Sequence, residues 1–178
     1  MLGDDTTTEK RLRLLQAEFT QHEKTGPGDG RSATLVHGAP PVDLGTLDYM
    51  RSAVAEVVTH TQAVAPNAGP APADQADVYR WSRESTEHLD IGPQLVREAI
   101  IYRQGLEHAL AMGDTDAVRT HPCPGCGCWG LYWRAAAKRA VCVNRRCTDK
   151  DGVASTWTLA RIAQQYIAAQ ESASRRAT

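Results

Sequence analysis

The stretch HPCPGCGCWG, residues 121–130, holds three of the five cysteines of this 178-residue chain. Two residues, one of them glycine, separate Cys123 from Cys126, so both thiolates can converge on one metal ion around a tight turn. Cys142 and Cys147 follow after 15 intervening residues, enough chain for a hairpin that returns to the first pair. The pattern predicts a closed tetrahedral site for structural Zn²⁺ with these four ligands.

Two neighbouring side chains and a second metal chemistry remain open at this point. Cys128 could replace Cys126 as a ligand, but it lies beyond Gly127, where a first strand should begin, so we expect a non-ligand role. His121 is another substitute, and we expect it to be a surface histidine before a proline. An iron–sulfur cluster also accepts four cysteines, so the spacing alone does not separate it from zinc.

The amino terminus bears on the same question. Met1–Thr8 contains two aspartates and is followed by no apolar segment, so it does not read as a signal peptide, and no apolar run approaches the roughly 18 residues needed to cross a bilayer. We therefore expect an intracellular, cytoplasmic protein with no membrane partner. A reducing compartment disfavours disulfides and favours metal ligands or redox groups.

Enzymatic alternatives for the cysteines find no support in the sequence. A thioredoxin-like pair belongs beside a β-α-β pattern, which is not visible. A zinc deaminase would use the Pro-Cys-X-X-Cys of residues 122–126, but no histidine of the chain has glutamate two positions later. Because no acid/base pair or nucleophile constellation emerges either, we expect a protein that is not an enzyme.

Outside the cysteine region the chain is predicted to be mainly helical. Residues 1–42 read as a flexible segment with one optional helix, because Leu12, Leu15 and Phe19 share helical spacing before the breaker-rich TGPGDG. Residues 43–118 read as a helical domain that forms a small bundle. The apolar face of its first helix consists of Leu44, Leu47, Met50, Val54, Val57 and Val58.

Two more helices are predicted in this domain. One follows an N-cap at Asp74 and places Val78, Trp81, Ser85 and Leu89 on one side. The other begins at Pro93 and runs to Met112, because Pro suits the first helical position and Gly113 supplies a stop. Its predicted apolar face consists of Leu95, Val96, Ala99, Ile100, Leu106, Ala109 and Leu110.

Residues 119–157 change to period-two alternation, which predicts short antiparallel strands. Residues 158–178 return to helical spacing from Leu159 and end in the polar tail ESASRRAT. The predicted fold class is therefore mainly α: a small helical bundle, a carboxy-terminal zinc ribbon and a final helix that could pack with the ribbon on the bundle.

The residues from His121 to Trp157 resemble the zinc-ribbon family, in which a CPxCG knuckle and a second cysteine pair bind zinc at the end of a small antiparallel sheet. CPGCG matches this knuckle as it stands. The second pair, CVNRRC, departs from it: four residues separate its cysteines, and no glycine follows. The longer stretch 103–165 is similar to small zinc-ribbon proteins of actinobacteria and their phages.

The net charge of −1 hides an uneven distribution. Residues 1–118 carry 10 basic and 18 acidic side chains, a net charge of −8, whereas residues 119–178 carry 10 basic and 3 acidic ones, a net charge of +7. Aromatic residues lie between the basic ones, so the ribbon could contact phosphates and stack on bases of DNA or RNA. The predicted nucleic-acid-binding residues are Arg134, Lys138, Arg139, Arg145, Arg146 and Lys150.

These observations favour an accessory or regulatory factor that binds nucleic acid. Four thiolates and one Zn²⁺ leave two negative charges, which nearby arginines could simply offset. The alternative function is a protein–protein adaptor with a purely structural zinc site, in which the acidic helical part binds a protein partner. A helix-turn-helix reader is disfavoured, because only one convincing helix follows the ribbon.

Overall fold

The computed structural model of the protein describes residues 44–177. The optional helix predicted within residues 1–42 lies outside the described residues. The described chain divides into two compact units between Ser85 and Thr86. Its mainly helical architecture, with a small antiparallel sheet before a final helix, confirms the predicted fold class.

The first unit contains α1 (Leu44–Val64) and α2 (Gln75–Thr86, apart from its last residue). The Thr61 hydroxyl donates its hydrogen to the carbonyl of Val57 in its own helix at 2.8 Å, so it accepts the 2.6 Å hydrogen bond from Ser82 on α2. The buried positions of α1 recur at helical spacing, as predicted: Met50, Ala53, Val57 and Thr61.

α2 begins as predicted, because a carboxylate oxygen of Asp74 accepts a hydrogen bond from the backbone N–H of Ala76 at 2.9 Å. Its buried face differs from the predicted one. Tyr79 and Ser82 are buried together with Val78, whereas Trp81 is half-buried and donates to the carbonyl of Ala68. The predicted Leu89 lies beyond the end of the helix. Burial raises the pKa of Tyr79 to about 12.

The second unit begins with α3 (Ile91–Ala111), which starts two residues before the predicted Pro93. The backbone turns out of the helix at Gly113, whose φ is +85°. The predicted face was wrong at Val96, which is 48% exposed. The structure instead buries Arg97, which forms a 2.7 Å ion pair with Glu98, so a charged residue occupies a position that an apolar pattern does not mark.

A three-stranded antiparallel sheet follows, in the order β1 (Leu131–Arg134), β2 (Arg139–Cys142) and β3 (Thr156–Trp157). Leu131 pairs with Cys142 at one end of the β1–β2 hairpin, and Arg134 pairs with Arg139 at the other. Alternate side chains of a strand face opposite sides, so the sheet has an inner and an outer face. The inner face consists of Leu131, Trp133, Ala140, Cys142 and Trp157.

α4 (Leu159–Ala177) completes the second unit, and its helix includes the residues that the sequence assigned to a polar tail, up to Ala177. One core joins both helices of this unit to the sheet. Its buried members are Leu106, Val118, Cys123, Leu131, Ala140, Cys142, Cys147, Leu159 and Ile162. The sequence placed α3 in a domain that ends at residue 118, but the structure includes α3 in the same unit as the cysteines.

Candidate metal centre and basic surface

The structure brings together the four cysteines named from the sequence, in a cluster that we call the cysteine group. The Sγ atoms of Cys123 and Cys147 are 3.7 Å apart, and those of Cys126 and Cys142 are also 3.7 Å apart. All four sulfurs lie within 4.8 Å of one another. All five cysteines of the chain are free thiols, so no disulfide competes with a metal for these sulfurs.

The first loop of the cysteine group is a tight knuckle. The N–H of Gly127 donates to the carbonyl of Cys123, and the N–H of Cys123 donates to the carbonyl of Cys128, both at 2.9 Å. Gly127 has a φ of +71°, a conformation that favours glycine. The N–H of Gly125 lies 3.4 Å from the Cys123 sulfur and points a donor at it. The knuckle thus presents both of its thiols to one point.

The second loop reaches the same point despite its longer spacing. A side-chain oxygen of Asn144 accepts from the N–H of Arg146 at 3.0 Å, and its carbonyl accepts from the N–H of Cys147 at 2.8 Å. These two bonds make a turn that Asn favours. The turn takes up the extra residues of CVNRRC and brings Cys147 beside Cys123. The sequence did not single out Asn144, although Asn in a short loop is a turn signal.

The dimensions of the cysteine group fit one tetrahedral metal ion. With metal–sulfur bonds of about 2.3 Å, a tetrahedral Zn²⁺ site has sulfur–sulfur edges of about 3.8 Å. The two 3.7 Å separations match this value, and the remaining pairs, within 4.8 Å, need only small shifts to close on an ion. The four thiols can therefore hold a single metal ion.

The protonation of the group depends on its surroundings. A hydrogen bond from the backbone N–H of Cys128 holds the pKa of Cys126 at about 6, whereas burial raises the pKa of Cys142 to about 12. Thiolates are the metal-binding form, so a divalent ion must displace protons from the buried thiols. Metal affinity should consequently fall at acidic pH.

Neither of the two substitute ligands belongs to the cysteine group. Cys128 is exposed, and its sulfur lies 3.6 Å from the side-chain nitrogen of Asn144. His121 was expected at the surface, and that prediction was wrong: only 2% of it is exposed. Its Nε2 lies 2.7 Å from the Tyr102 hydroxyl, and its ring contacts Tyr102 and Tyr166 edge to face.

This aromatic trio links α3, α4 and the approach to the knuckle. The rings of Tyr102 on α3 and Tyr166 on α4 stack, with centroids 4.4 Å apart. Burial lowers the pKa of His121, which favours the neutral ring, and burial also raises the pKa of Tyr102. His121 therefore anchors the knuckle to the two helices, a role that its position beside the cysteines concealed in the sequence.

The indole of Trp157 lies against the knuckle. A Cβ added at Gly125 would stand 2.9 Å from a ring carbon of Trp157 and 3.5 Å from the Cys147 sulfur. Glycine is therefore required there by close packing as well as by the turn. Trp133 and Trp157 pack against the core, whereas Trp129 and Tyr132 are exposed. Only the latter two can offer a ring face to a ligand.

The six predicted nucleic-acid-binding residues are exposed, but the structure places them in two sets. Arg145, Arg146 and Lys150 lie in the loops around Cys147, and we call this the cysteine end of the ribbon. Arg134, Lys138 and Arg139 lie where β1 turns into β2, and we call them the hairpin tip. With about 3.3 Å per strand residue, Arg139 lies about 10 Å along β2 from Cys142.

The hairpin tip places two like charges opposite each other. Arg134 pairs with Arg139 across the strands, and neither has an ion-pair partner within residues 44–177. Tyr132, two residues before Arg134 in β1, shares their outer face and is 43% exposed. The three strands contain no acidic residue. The tip is thus an uncompensated positive surface beside an accessible aromatic ring.

Comparisons with protein-family models, with curated proteins and with solved structures find no match to this chain. Within residues 44–177, the helices lack the combination of length and apolar character needed to span a bilayer.

Proposed function

We propose that the protein is a non-enzymatic nucleic-acid-binding accessory or regulatory factor, stabilised by Zn²⁺ in the cysteine group and binding DNA or RNA through the hairpin tip. The observation that carries this proposal is the pairing of Arg134 with Arg139. Like charges directly opposite each other destabilise a sheet. A phosphate backbone would offset that cost, because it supplies negative charge at closely spaced intervals.

The position of the tip supports the same function. A Zn²⁺ ion with four thiolates carries two negative charges, and the arginines at the cysteine end are the ones placed to offset them. The tip lies about 10 Å away, beyond the Debye length of about 8 Å at physiological salt, so that charge is largely screened there. The tip charges therefore remain available for a ligand.

Tyr132 adds a means of contacting bases. Its ring is accessible on the face that holds Arg134 and Arg139. Stacking of an unpaired base on an aromatic ring contributes about 1–3 kcal/mol and tolerates any sequence. Basic side chains beside a stacking ring suit single-stranded nucleic acid better than a duplex, whose bases are already stacked.

The sulfur geometry supports a single ion over an iron–sulfur cluster. A cluster distributes its cysteines over several iron atoms and so holds their sulfurs farther apart than one ion does. The 3.7 Å separations are those of one tetrahedral ion, and zinc is the usual occupant of a closed site of four cysteines.

Metal content tests the zinc half of the proposal. Elemental analysis of protein purified without added metal should find one zinc per chain in the unmodified protein and none in Cys142→Ser. Cys128→Ser is the matched control and should keep its zinc. Iron, with or without sulfide, or no metal at all, would contradict the zinc assignment.

Salt-dependent binding tests the nucleic-acid half. Labelled single-stranded and duplex oligonucleotides of mixed sequence are titrated at increasing salt with the unmodified protein and two double variants. Arg134→Gln with Arg139→Gln should reduce the salt dependence by about 0.7 per lost contact to a single strand. Arg145→Gln with Arg146→Gln changes the net charge equally and should leave the slope nearly unchanged.

Equal losses in both double variants would mean that net charge, and not the tip, governs binding. No salt-dependent binding to any oligonucleotide would contradict the function itself. That result would favour the alternative, a protein–protein adaptor in which the zinc site is purely structural.

A further inference from the structure

Cys126 differs from the other three thiols of the cysteine group in its access to solvent. Cys123, Cys142 and Cys147 are 0%, 4% and 9% exposed, whereas Cys126 is classed with the exposed residues. A reagent in solution therefore reaches the group at Cys126. The group has three protected corners and one open corner.

A second accessible thiol lies beside this open corner. The side-chain nitrogen of Asn144 is 3.7 Å from the Cys126 sulfur and 3.6 Å from the Cys128 sulfur, so one amide contacts both. Cys128 is exposed and is not needed to complete the group of four. The arrangement therefore combines an accessible metal-binding thiol with a neighbouring thiol that is not engaged with the metal site.

We infer that Cys126 and Cys128 form an oxidation site, at which a hydroperoxide converts the two thiols to a disulfide and removes one ligand from the metal centre. This inference rests on the proposed zinc site and is independent of nucleic-acid binding. It assigns to Cys128 a role that neither the fold nor the metal centre requires.

The chemistry balances in two steps. The Cys126 thiolate attacks the hydroperoxide, the O–O bond breaks, and a sulfenic acid forms with release of hydroxide or alkoxide. The Cys128 thiolate then attacks the sulfenic sulfur, the S–O bond breaks, and a disulfide forms with release of hydroxide. The peroxide gains two electrons, and each thiolate loses one. Cys126 no longer offers a thiolate, so the metal centre keeps three ligands.

The knuckle permits this bond. Two residues apart, the Cα atoms of Cys126 and Cys128 cannot be more than about 7 Å from each other, and the turn at Gly127 shortens that distance. Disulfides need Cα separations of about 4.4–6.8 Å. Closure needs local movement of exposed residues only, because Cys126, Gly127 and Cys128 all lie at the surface.

The test compares zinc-loaded full-length protein with its Cys128→Ser variant. Both are treated with hydrogen peroxide, and released zinc is followed with a chromogenic chelator. After peroxide removal, a thiol reductant and zinc are added. The unmodified protein should recover most of its zinc. Cys128→Ser should recover a much smaller fraction, because an unresolved sulfenic acid proceeds to the irreversible sulfinic acid.

Peptide mapping identifies the bond. Cleavage after Arg119 and Arg134 leaves Cys123, Cys126 and Cys128 in one peptide, so alkylation followed by fragmentation locates the thiols that were protected. The expected product has Cys126 and Cys128 protected and Cys123 alkylated. In Cys126→Ser, Cys128 should remain open to alkylation after peroxide treatment.

Three outcomes would overturn the inference. Equal zinc recovery by the unmodified protein and Cys128→Ser would remove the role of Cys128. A disulfide that links Cys126 to a cysteine other than Cys128 would assign the chemistry elsewhere. Protein that takes up no zinc would overturn this inference together with the metal half of the proposed function, whereas loss of oligonucleotide binding alone would leave it intact.

Discussion

The two ends of the β1–β2 hairpin differ in what they contribute. At the cysteine end, Leu131 pairs with Cys142, and both are buried in the core that joins the sheet to α3 and α4. At the tip, Arg134 pairs with Arg139, and both are exposed. One end holds the fold together, and the other stores like-charge repulsion at the surface. The four-residue strands thus separate stability from a charged surface that favours an anionic ligand.

The largest expected effect comes from removing the metal ligand at the cysteine end. Cys142→Ser should destabilise residues 86–177 by about 5 kcal/mol or more, because structural zinc contributes its binding free energy to folding. Thermal unfolding, followed by circular dichroism and tryptophan fluorescence, measures the change. Excess chelator should reproduce it in the unmodified protein. Similar melting of Cys142→Ser and Cys128→Ser would show that the metal site does not stabilise this end.

Gly130 tests the backbone between the knuckle and β1. Its φ is +121°, and an added Cβ would stand 2.5 Å from a methyl group of Val143. Gly130→Ala should therefore cost about 2 kcal/mol in the free energy of unfolding. Gly127→Ala, at a φ of +71° with open space around it, should cost about 1 kcal/mol. Denaturant titration of both variants checks this order, and a smaller cost at Gly130 would contradict it.

The attachment of the knuckle to the helices is tested at Tyr102. Tyr102→Phe keeps the stacking on Tyr166 but removes the hydroxyl that lies 2.7 Å from His121. The expected destabilisation is about 1 kcal/mol, measured by chemical denaturation. Tyr132→Phe removes an exposed hydroxyl and should change stability little. An unchanged free energy of unfolding in Tyr102→Phe would mean that the hydrogen bond does not anchor the knuckle.

The smallest expected effect has the opposite sign and lies at the tip. Arg134→Gln should raise the free energy of unfolding by about 0.5 kcal/mol at low salt, because it removes repulsion across the strands. Added salt should reduce the gain, since it screens the repulsion in the unmodified protein. Arg145→Gln, near the cysteine group, should not produce this gain. Destabilisation by Arg134→Gln would show that the tip arginines support the sheet.

Much of the metal centre could be predicted from the chain, because its geometry depends on local spacing. Two residues between Cys123 and Cys126 determine a knuckle whatever lies around it. The turn at Asn144 could not be predicted with equal certainty, because the spacing of CVNRRC departs from the usual knuckle and only the hydrogen bonds of the folded loop bring Cys147 to Cys123.

The helix faces were predicted less well than the helices themselves. Apolar periodicity located the buried positions of α1, yet it missed Arg97 and Gln104 on α3, which are buried polar residues. Their burial depends on partners in other segments or on neighbours along the helix, such as Thr86 and Glu98 for Arg97. A pattern of apolar residues has no means of marking such positions.

The sequence by itself determined the helical character of the chain, the ribbon between residues 119 and 157 and the identity of the four clustered cysteines, because these follow from spacing and periodicity along a local stretch. Only the tertiary structure decided that α3 shares a core with the sheet, that His121 is buried, and that the basic residues divide into a cysteine end and a tip. These features depend on which distant residues meet, and strand register and helix packing settle that only when the whole unit folds.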